Sequence, residues 1–350
     1  MIKADCAPVE PPMATDYATL RTLPDDVLQR VLVGVPLDDH RATASVCRAF
    51  RAVICGPRFL ALRRGYGFLE RGIVVVKSHH GNDVMVCVVD KSVETPIISE
   101  YTSSSAEYYP VGRNSVATDG GTRLFVSIAS HAGSPHVLAV DVASRKWSRF
   151  ATLPLHQYGA THRYCIEWHD GRLYVAAWWR GDGPRQLLNS FNAFNEATGL
   201  WEELPSMPHR CWCGMSGVIG NELFVAGGEV LDVVFPFIWK LPIYDIATRT
   251  WQLGAPLPRF GSHAVVVDGK LFVFAKNVPS VMVYDPPSNT WTVEPNYHVE
   301  HACVHNDRIV VFSYDGTAYE RATDGSWHPY EVAEPGKARH GRASESVILG

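Results

Sequence analysis

The chain has 350 residues, 46% hydrophobic and 19% charged, with ten Trp and fourteen Tyr, a globular composition with room for one large domain and a small one. Its net charge of −4 is unevenly placed: residues 20–64 carry eight Arg against four Asp, residues 1–19 sum to −2, and the remainder, 65–350, is about −6. A weakly acidic body argues against nucleic-acid binding, which needs clustered Lys and Arg, and apolar runs of about five to seven residues are too short to span a membrane.

Residues 1–19, "MIKADCAPVEPPMATDYAT", carry acids and prolines and no apolar run. They read as a disordered segment and not as a secretion signal, which places the chain in the cytoplasm or the nucleus by elimination. Helical periodicity begins in "LPDDVLQRVLVGVP" (23–36). Val27, Leu28, Val31, Leu32 and Val35 form one stripe of a 3.6-residue period, and Asp25 and Asp26 sit in the first turn, where carboxylates complement the helix dipole. "DHRATASVCRAFRAVI" (39–54) comes next, with Val46, Phe50, Val53 and Ile54 on one face and Arg48 and Arg51 off it.

This stretch, residues 20–64, resembles the F-box. The resemblance rests on Leu23-Pro24-Asp25-Asp26, the break Val35-Pro36, and Val46-Cys47-Arg48-Ala49-Phe50-Arg51, where Phe50 stands in place of the family's Trp. An F-box implies binding to the Skp-type adaptor of a cullin-based ubiquitin ligase. The adaptor-binding residues it implies are Leu23, Pro24, Asp25, Val27, Leu28, Val31, Leu32, Val35, Pro36, Val46, Cys47 and Phe50.

From residue 65 onward the chain repeats a two-part phrase. The first part is a turn pair and a short apolar strand: "DGRLYV" (170–175), "GNELFV" (220–225), "DGKLFV" (268–273), "NDRIVV" (306–311), and a looser "DGGTRLFV" (119–126). Asp-Gly, Gly-Asn and Asn-Asp tolerate the positive φ of tight hairpin turns. The second part is an acidic or amide residue with Trp six positions on: Asp141/Trp147, Asn195/Trp201, Asp245/Trp251 and Asp285/Trp291, with Glu320/Trp327 one residue longer. Two hairpins make a four-stranded unit with the period of a β-propeller blade. The phrase resembles the kelch repeat, although the family's double Gly survives only as Gly227-Gly228.

Five complete units start near residues 113, 160, 213, 261 and 301. "GIVVVK" (72–77), "VMVCVVD" (84–90) and "TPIISE" (95–100) supply three further strands, and "RASESVIL" (342–349) a lone one. Pairing the lone strand with the first three predicts a mostly β fold: a six-bladed kelch-type propeller over 65–350, closed by strand 342–349 and preceded by the small α-helical F-box. Closure removes two sheet edges that would otherwise template aggregation.

Chemistry-bearing constellations are thin. The eight cysteines, Cys6, Cys47, Cys55, Cys87, Cys165, Cys211, Cys213 and Cys303, contain no CxxC pair and read as buried free thiols. No phosphate loop or nucleophile elbow occurs. His79-His80 reads as a solvated loop, and His263 and His301, each five residues before a repeat turn, read as structural positions of the repeat. Some kelch propellers are metal enzymes, but that chemistry needs converging ligands such as two His and two Tyr; no cofactor or metal is expected. A bare scaffold is the other alternative, and the F-box argues against it.

The reading is therefore a non-catalytic substrate receptor of a plant-type SCF (Skp–cullin–F-box) ubiquitin ligase, with a protein substrate. In a four-stranded meander the turns joining strands one to two and three to four lie on one rim, and the remaining connections on the other. The long connections fall on the second rim, among them "WWRGDGPRQ", "GGEVLDVVFPF", "SSSAEYYPVGR" and "LPSMPHRCWCG". Recognition residues concentrate on variable loops, and Arg and aromatic side chains dominate interface energetics. The substrate-binding candidates are Tyr109, Arg113, Trp179, Arg180, Arg210, Trp212, Arg259 and Phe260.

Overall fold

A computed structural model describes residues 24–35, 40–54, 59, 62, 72–78, 84–89, 97–101, 108–110, 116–119, 123–130, 136–141, 146–154, 163–180, 187–209, 215–227, 240–275, 278–305, 307–313, 317–330 and 345–349. The chain divides into two compact units, Met1–Glu70 and Arg71–Gly350.

Among the described residues the first unit holds the helices α1 (Asp25–Val33), α2 (His40–Val46) and α3 (Arg48–Ile54). Helix α1 starts behind Pro24, whose carbonyl accepts the Leu28 N–H at 2.9 Å, and ends at Gly34. The helical stretch expected over 39–54 is broken at Cys47. Its Sγ lies 3.5 Å from the Phe50 N–H, so a thiol stands at the position where a helix start needs an acceptor. Leu28, Leu32, Val33, Phe50 and Phe59 form the core of this unit, with Val35, Cys47, Val53, Ile54 and Leu62 packed around it.

The second unit is built of strands. They are β1 (Gly72–Ser78), β2 (Val84–Val89), β3 (Ile97–Tyr101), β4 (Tyr108–Pro110), β5 (Val116–Thr118), β6 (Arg123–Ser130), β7 (His136–Asp141) and β8 (Lys146–Thr152). Next come β9 (Arg163–His169), β10 (Arg172–Arg180), β11 (Leu187–Asn195), β12 (Leu200–Leu204), β13 (Met215–Ile219), β14 (Glu222–Ala226), β15 (Leu241–Asp245) and β16 (Thr250–Gly254). The series ends with β17 (Gly261–Val267), β18 (Lys270–Ala275), β19 (Ser280–Asp285), β20 (Thr290–Pro295), β21 (Val299–His305), β22 (Arg308–Ser313), β23 (Ala318–Arg321), β24 (Trp327–Pro329) and β25 (Glu345–Leu349).

Sheets β9–β12, β13–β16, β17–β20 and β21–β24 are four-stranded antiparallel meanders, and a fifth four-stranded sheet runs β25-β1-β2-β3. In that sheet Ile73 faces Ile348 and Val75 faces Ser346 across an antiparallel pair. The inner strands β5, β9, β13, β17, β21 and β25 touch in a closed cycle, the arrangement of a β-propeller.

The propeller class expected from the sequence is present, but the count of six blades is corrected: among the described residues only five sheets have the four-stranded form of a blade. The remaining sheet has five strands, because both β4 and β5 pair with β6. Strand β6 is eight residues long. Its start, Leu124–Val126, pairs with β5, and its end, Ile128–Ser130, pairs with β4. Strand β4 lies in "SSSAEYYPVGR", which the sequence presents as a connection between blades.

The repeat phrase has a physical account at each position. Asp170, Gly171, Gly220, Asp268, Gly269 and Asp307 all adopt positive φ, between 46° and 73°, as the hairpin turns require. Asp245 Oδ1 accepts the Ala247 and Thr248 N–H groups at 2.8 Å each, and Asn195 Oδ1 accepts those of Ala197 and Thr198, so the acidic or amide residue closes an Asx turn. In the last meander this task moves from Glu320 to Asp324, which accepts the Ser326 N–H at 2.9 Å. The Trp ties blades together: Trp251 Nε1 donates to the Pro205 carbonyl at 2.7 Å and Trp291 Nε1 to that of Ala255 at 2.9 Å. Apolar clusters lie between successive sheets, such as Phe191, Leu204, Leu223 and Tyr244 between the β9–β12 and β13–β16 meanders.

Candidate functional site

The residues read from sequence as adaptor-binding separate into two groups. Leu28, Leu32 and Phe50 are 4%, 2% and 8% exposed and belong to the helical core. They are enclosed by their own domain and contribute to its cohesion. Val27, Val31 and Val46 are exposed at 37%, 51% and 58%. Val27 and Val31 stand one turn apart on α1 and share a face, an apolar surface that folding of the unit leaves uncovered. Val35 and Cys47 are half-buried and Pro24 is exposed. Asp25 is the first residue of α1, and Leu23 and Pro36 lie outside the described residues.

Of the substrate-binding candidates, Arg259 is exposed and Phe260 half-buried, both in the connection from β16 to β17. Tyr109 belongs to β4, and Trp179 and Arg180 to β10, paired in register with Leu188 and Leu187. The sequence presents these three as loop residues; the β10–β11 hairpin runs further than the repeat phrase indicates, which leaves only 181–186 between its strands. Arg113, Arg210 and Trp212 lie outside the described residues. His263 and His301 face each other in T-shaped contact at 5.5 Å from neighbouring inner strands, each 5% exposed. Among the described residues no cluster of three or more His, Cys, Asp or Glu is placed to hold a metal ion, and no helix is long and apolar enough to cross a membrane.

Among the described residues a concavity lies on the other rim, where the sequence shows only short turns. A cleft of about 310 Å³ opens between the β9–β12 and β13–β16 meanders, lined by His169, Arg172, Tyr174, Asn221, Tyr244 and Arg249 among others. Three turns of one rim build it: 169–172, 220–221 and 246–249. Glu202 of β12 accepts Arg172 Nη1 at 2.9 Å on one oxygen and Arg249 Nη1 at 2.5 Å on the other. These bonds, that of Arg172 foremost, hold the Glu202 carboxyl below the usual carboxylate range. Burial pushes the Tyr174 and Tyr244 hydroxyls above the ordinary phenol range, so both remain protonated donors at neutral pH. Arg-to-Glu links between neighbouring sheets recur in Arg123–Glu196 and Arg321–Glu294. The signal that could have pointed to the cleft is Arg249 itself, a long side chain at a hairpin position held by Gly199 and Asn289 in the adjacent repeats.

Comparison with known proteins meets this geometry at two places. Residues 20–62 match the F-box domain family, spanning the three helices, and residues 160–208 match the kelch motif family, spanning β9–β12. The chain carries an F-box and a kelch motif. It is similar to an F-box/kelch-repeat protein of Arabidopsis thaliana, 25% identical over 77% of this chain and 71% of that one. A putative F-box/kelch-repeat protein of the same plant is 23% identical over 77% of each chain. Kelch domain-containing protein 10 of Homo sapiens is 28% identical over 55% of this chain and 45% of its own length. The F-box match lies within the helical unit, and the kelch match ends just beyond the Leu204 that closes its meander.

Proposed function

We propose that this chain is the substrate-recognition subunit of an SCF-type ubiquitin ligase. Its F-box, residues 20–64, binds the Skp adaptor and through it a cullin, and its propeller, residues 65–350, captures a protein substrate for ubiquitination and degradation. The observation that carries the reading is the α1 surface. Val27 and Val31 are exposed on a folded helical unit that matches the F-box, and an apolar face left open by folding is a place for a partner. The chain itself performs no bond chemistry. It raises the effective concentration of a substrate lysine near a charged conjugating enzyme held in the same assembly, in the cytoplasm or the nucleus.

Substrate capture belongs to the rim formed by the strand two-to-three and inter-blade connections, with Arg259 and Phe260 in the β16–β17 connection and Arg180 at the end of β10 among its described members. Co-purification of the full chain with a Skp-type adaptor tests the reading. Capture at near-equal stoichiometry is the expected result, and a monomeric chain that ignores the adaptor overturns it. Replacing Arg113, Arg180 and Arg259 together should weaken substrate capture and leave adaptor binding intact.

A further inference from the structure

Two neighbouring hairpins of the propeller follow one template and diverge at one position. "YDPPSNTW" (284–291) and "YDIATRTW" (244–251) each place Tyr on the third strand, Asp at the turn and Trp on the fourth strand. The fifth residue after the Tyr is Asn289 in one and Arg249 in the other, with φ of 50° and 59°. Asn289 Oδ1 accepts the Tyr284 hydroxyl and the Ala255 N–H, each at 2.7 Å. That bond completes the polar requirements of a buried tyrosine.

Arginine has no acceptor to offer. Arg249 turns instead to Glu202 of the preceding meander, and Pro205, which stands where Ala255 stands in the next repeat, has no N–H. Tyr244 is fully buried, and among the described residues its hydroxyl has no hydrogen-bond partner. The hairpin has thus exchanged a residue suited to positive φ for one that is not, and left a buried donor unsatisfied. The half-exposed ion pair to Glu202 is a small return for that exchange, and departures from a local rule with little return mark functional positions.

Tyr244 lines the cleft, beside Tyr174, Arg172 and Arg249. The Tyr244 O–H lacks an acceptor among the described residues, and the guanidinium groups of Arg172 and Arg249 border the same cleft. Glu202 and Asp170 already balance the two arginines in charge, which disfavours a dianion such as phosphate. Leu204, Ile246 and Ala247 give the cleft an apolar side, and its volume, about 310 Å³, suits a small molecule.

We infer that this inter-blade cleft binds the carboxylate of a small organic monoacid, held by the Tyr244 hydroxyl and the Arg172 and Arg249 guanidinium groups. The site lies on the short-turn rim, opposite the rim assigned to substrate capture, and stands independently of the adaptor reading. The experiment is calorimetric titration of the full chain with benzoate, and with inorganic phosphate at equal ionic strength. The variants are Tyr244→Phe, which places the side chain that Phe194 already supplies at the matching position of the preceding repeat, and Arg249→Asn, which copies the Asn289 solution. Saturable benzoate binding is expected, weakened about tenfold or more in both variants, with phosphate the poorer ligand. Absence of saturable binding to the unaltered chain, benzoate affinity unchanged in both variants, or tighter binding of phosphate would each overturn the inference.

Discussion

Adjacent residues of α1 should respond to substitution in opposite ways. Leu32 is 2% exposed in the helical core and Val31 is 51% exposed. Leu32→Ala removes buried methyl groups and leaves a cavity, at a cost of about 2–5 kcal/mol. A unit of this size has a small core, whose described members include Leu28, Leu32, Val33, Phe50 and Phe59, and such a core supplies a stability of the same size, ~3–5 kcal/mol at most, so this variant should unfold the helical unit and lose adaptor binding by that route. Val31→Lys exchanges a half-exposed residue in the last turn of a helix for a better helix former whose charge suits the C-terminal end of the dipole. The unit should keep its stability to within about 0.5 kcal/mol. If the α1 face is the adaptor-binding surface, an ammonium buried there costs about 2–4 kcal/mol, roughly 30- to 1,000-fold in affinity. Thermal melts by circular dichroism and calorimetric titration with the adaptor separate the two outcomes. A Val31→Lys protein that binds the adaptor as tightly as the parent, or a Leu32→Ala protein that melts unchanged, would refute the division of α1 into core and contact faces.

Trp251→Phe removes the Nε1 bond to the Pro205 carbonyl that joins two blades. A loss of about 1 kcal/mol is expected, seen as a lower denaturation midpoint with unchanged slope; an unaltered midpoint would make the bond energetically idle. Glu167 on β9 has its carboxyl raised by burial from an ordinary 4.5 to about 7, against a lowering by its bond to Ser216. The folded chain therefore holds a proton there that the unfolded chain has released, and this group's contribution to stability falls as pH rises from about 4.5 through 7. Glu167→Gln should melt close to the parent at pH 5 and above it at pH 8, and parallel pH profiles would count against a buried acid. Deleting Glu345–Gly350 strips β25 from β1 and exposes a sheet edge. Aggregation or a large drop in melting temperature is expected, and a monomeric product with the parent's melting curve would show that the ring does not depend on that pairing.

The propeller is legible in the sequence because its signals are local and repeated. A Gly or Asp that must take positive φ, an Asp or Asn that closes an Asx turn and a Trp six residues on are set by backbone sterics and short-range hydrogen bonds, so each hairpin announces itself. The helical stripe of 23–36 is legible for the same reason. Periodicity places Val27, Leu28, Val31 and Leu32 on one broad face. It cannot divide that face, and only packing against Phe50 and Phe59 decides that the leucines are enclosed and the valines left outside. Strand ends depend on partners rather than on propensity, so Trp179 and Arg180 pass for loop, and β4 for a connection, until β11 and β6 pair with them. The cleft is the clearest case. Tyr244 and Arg249 lie in one repeat and Arg172 and Glu202 in the one before, and each alone is an ordinary strand or turn residue. Their meeting, and the Tyr244 hydroxyl left without an acceptor among the described residues, exist only where two blades are brought side by side.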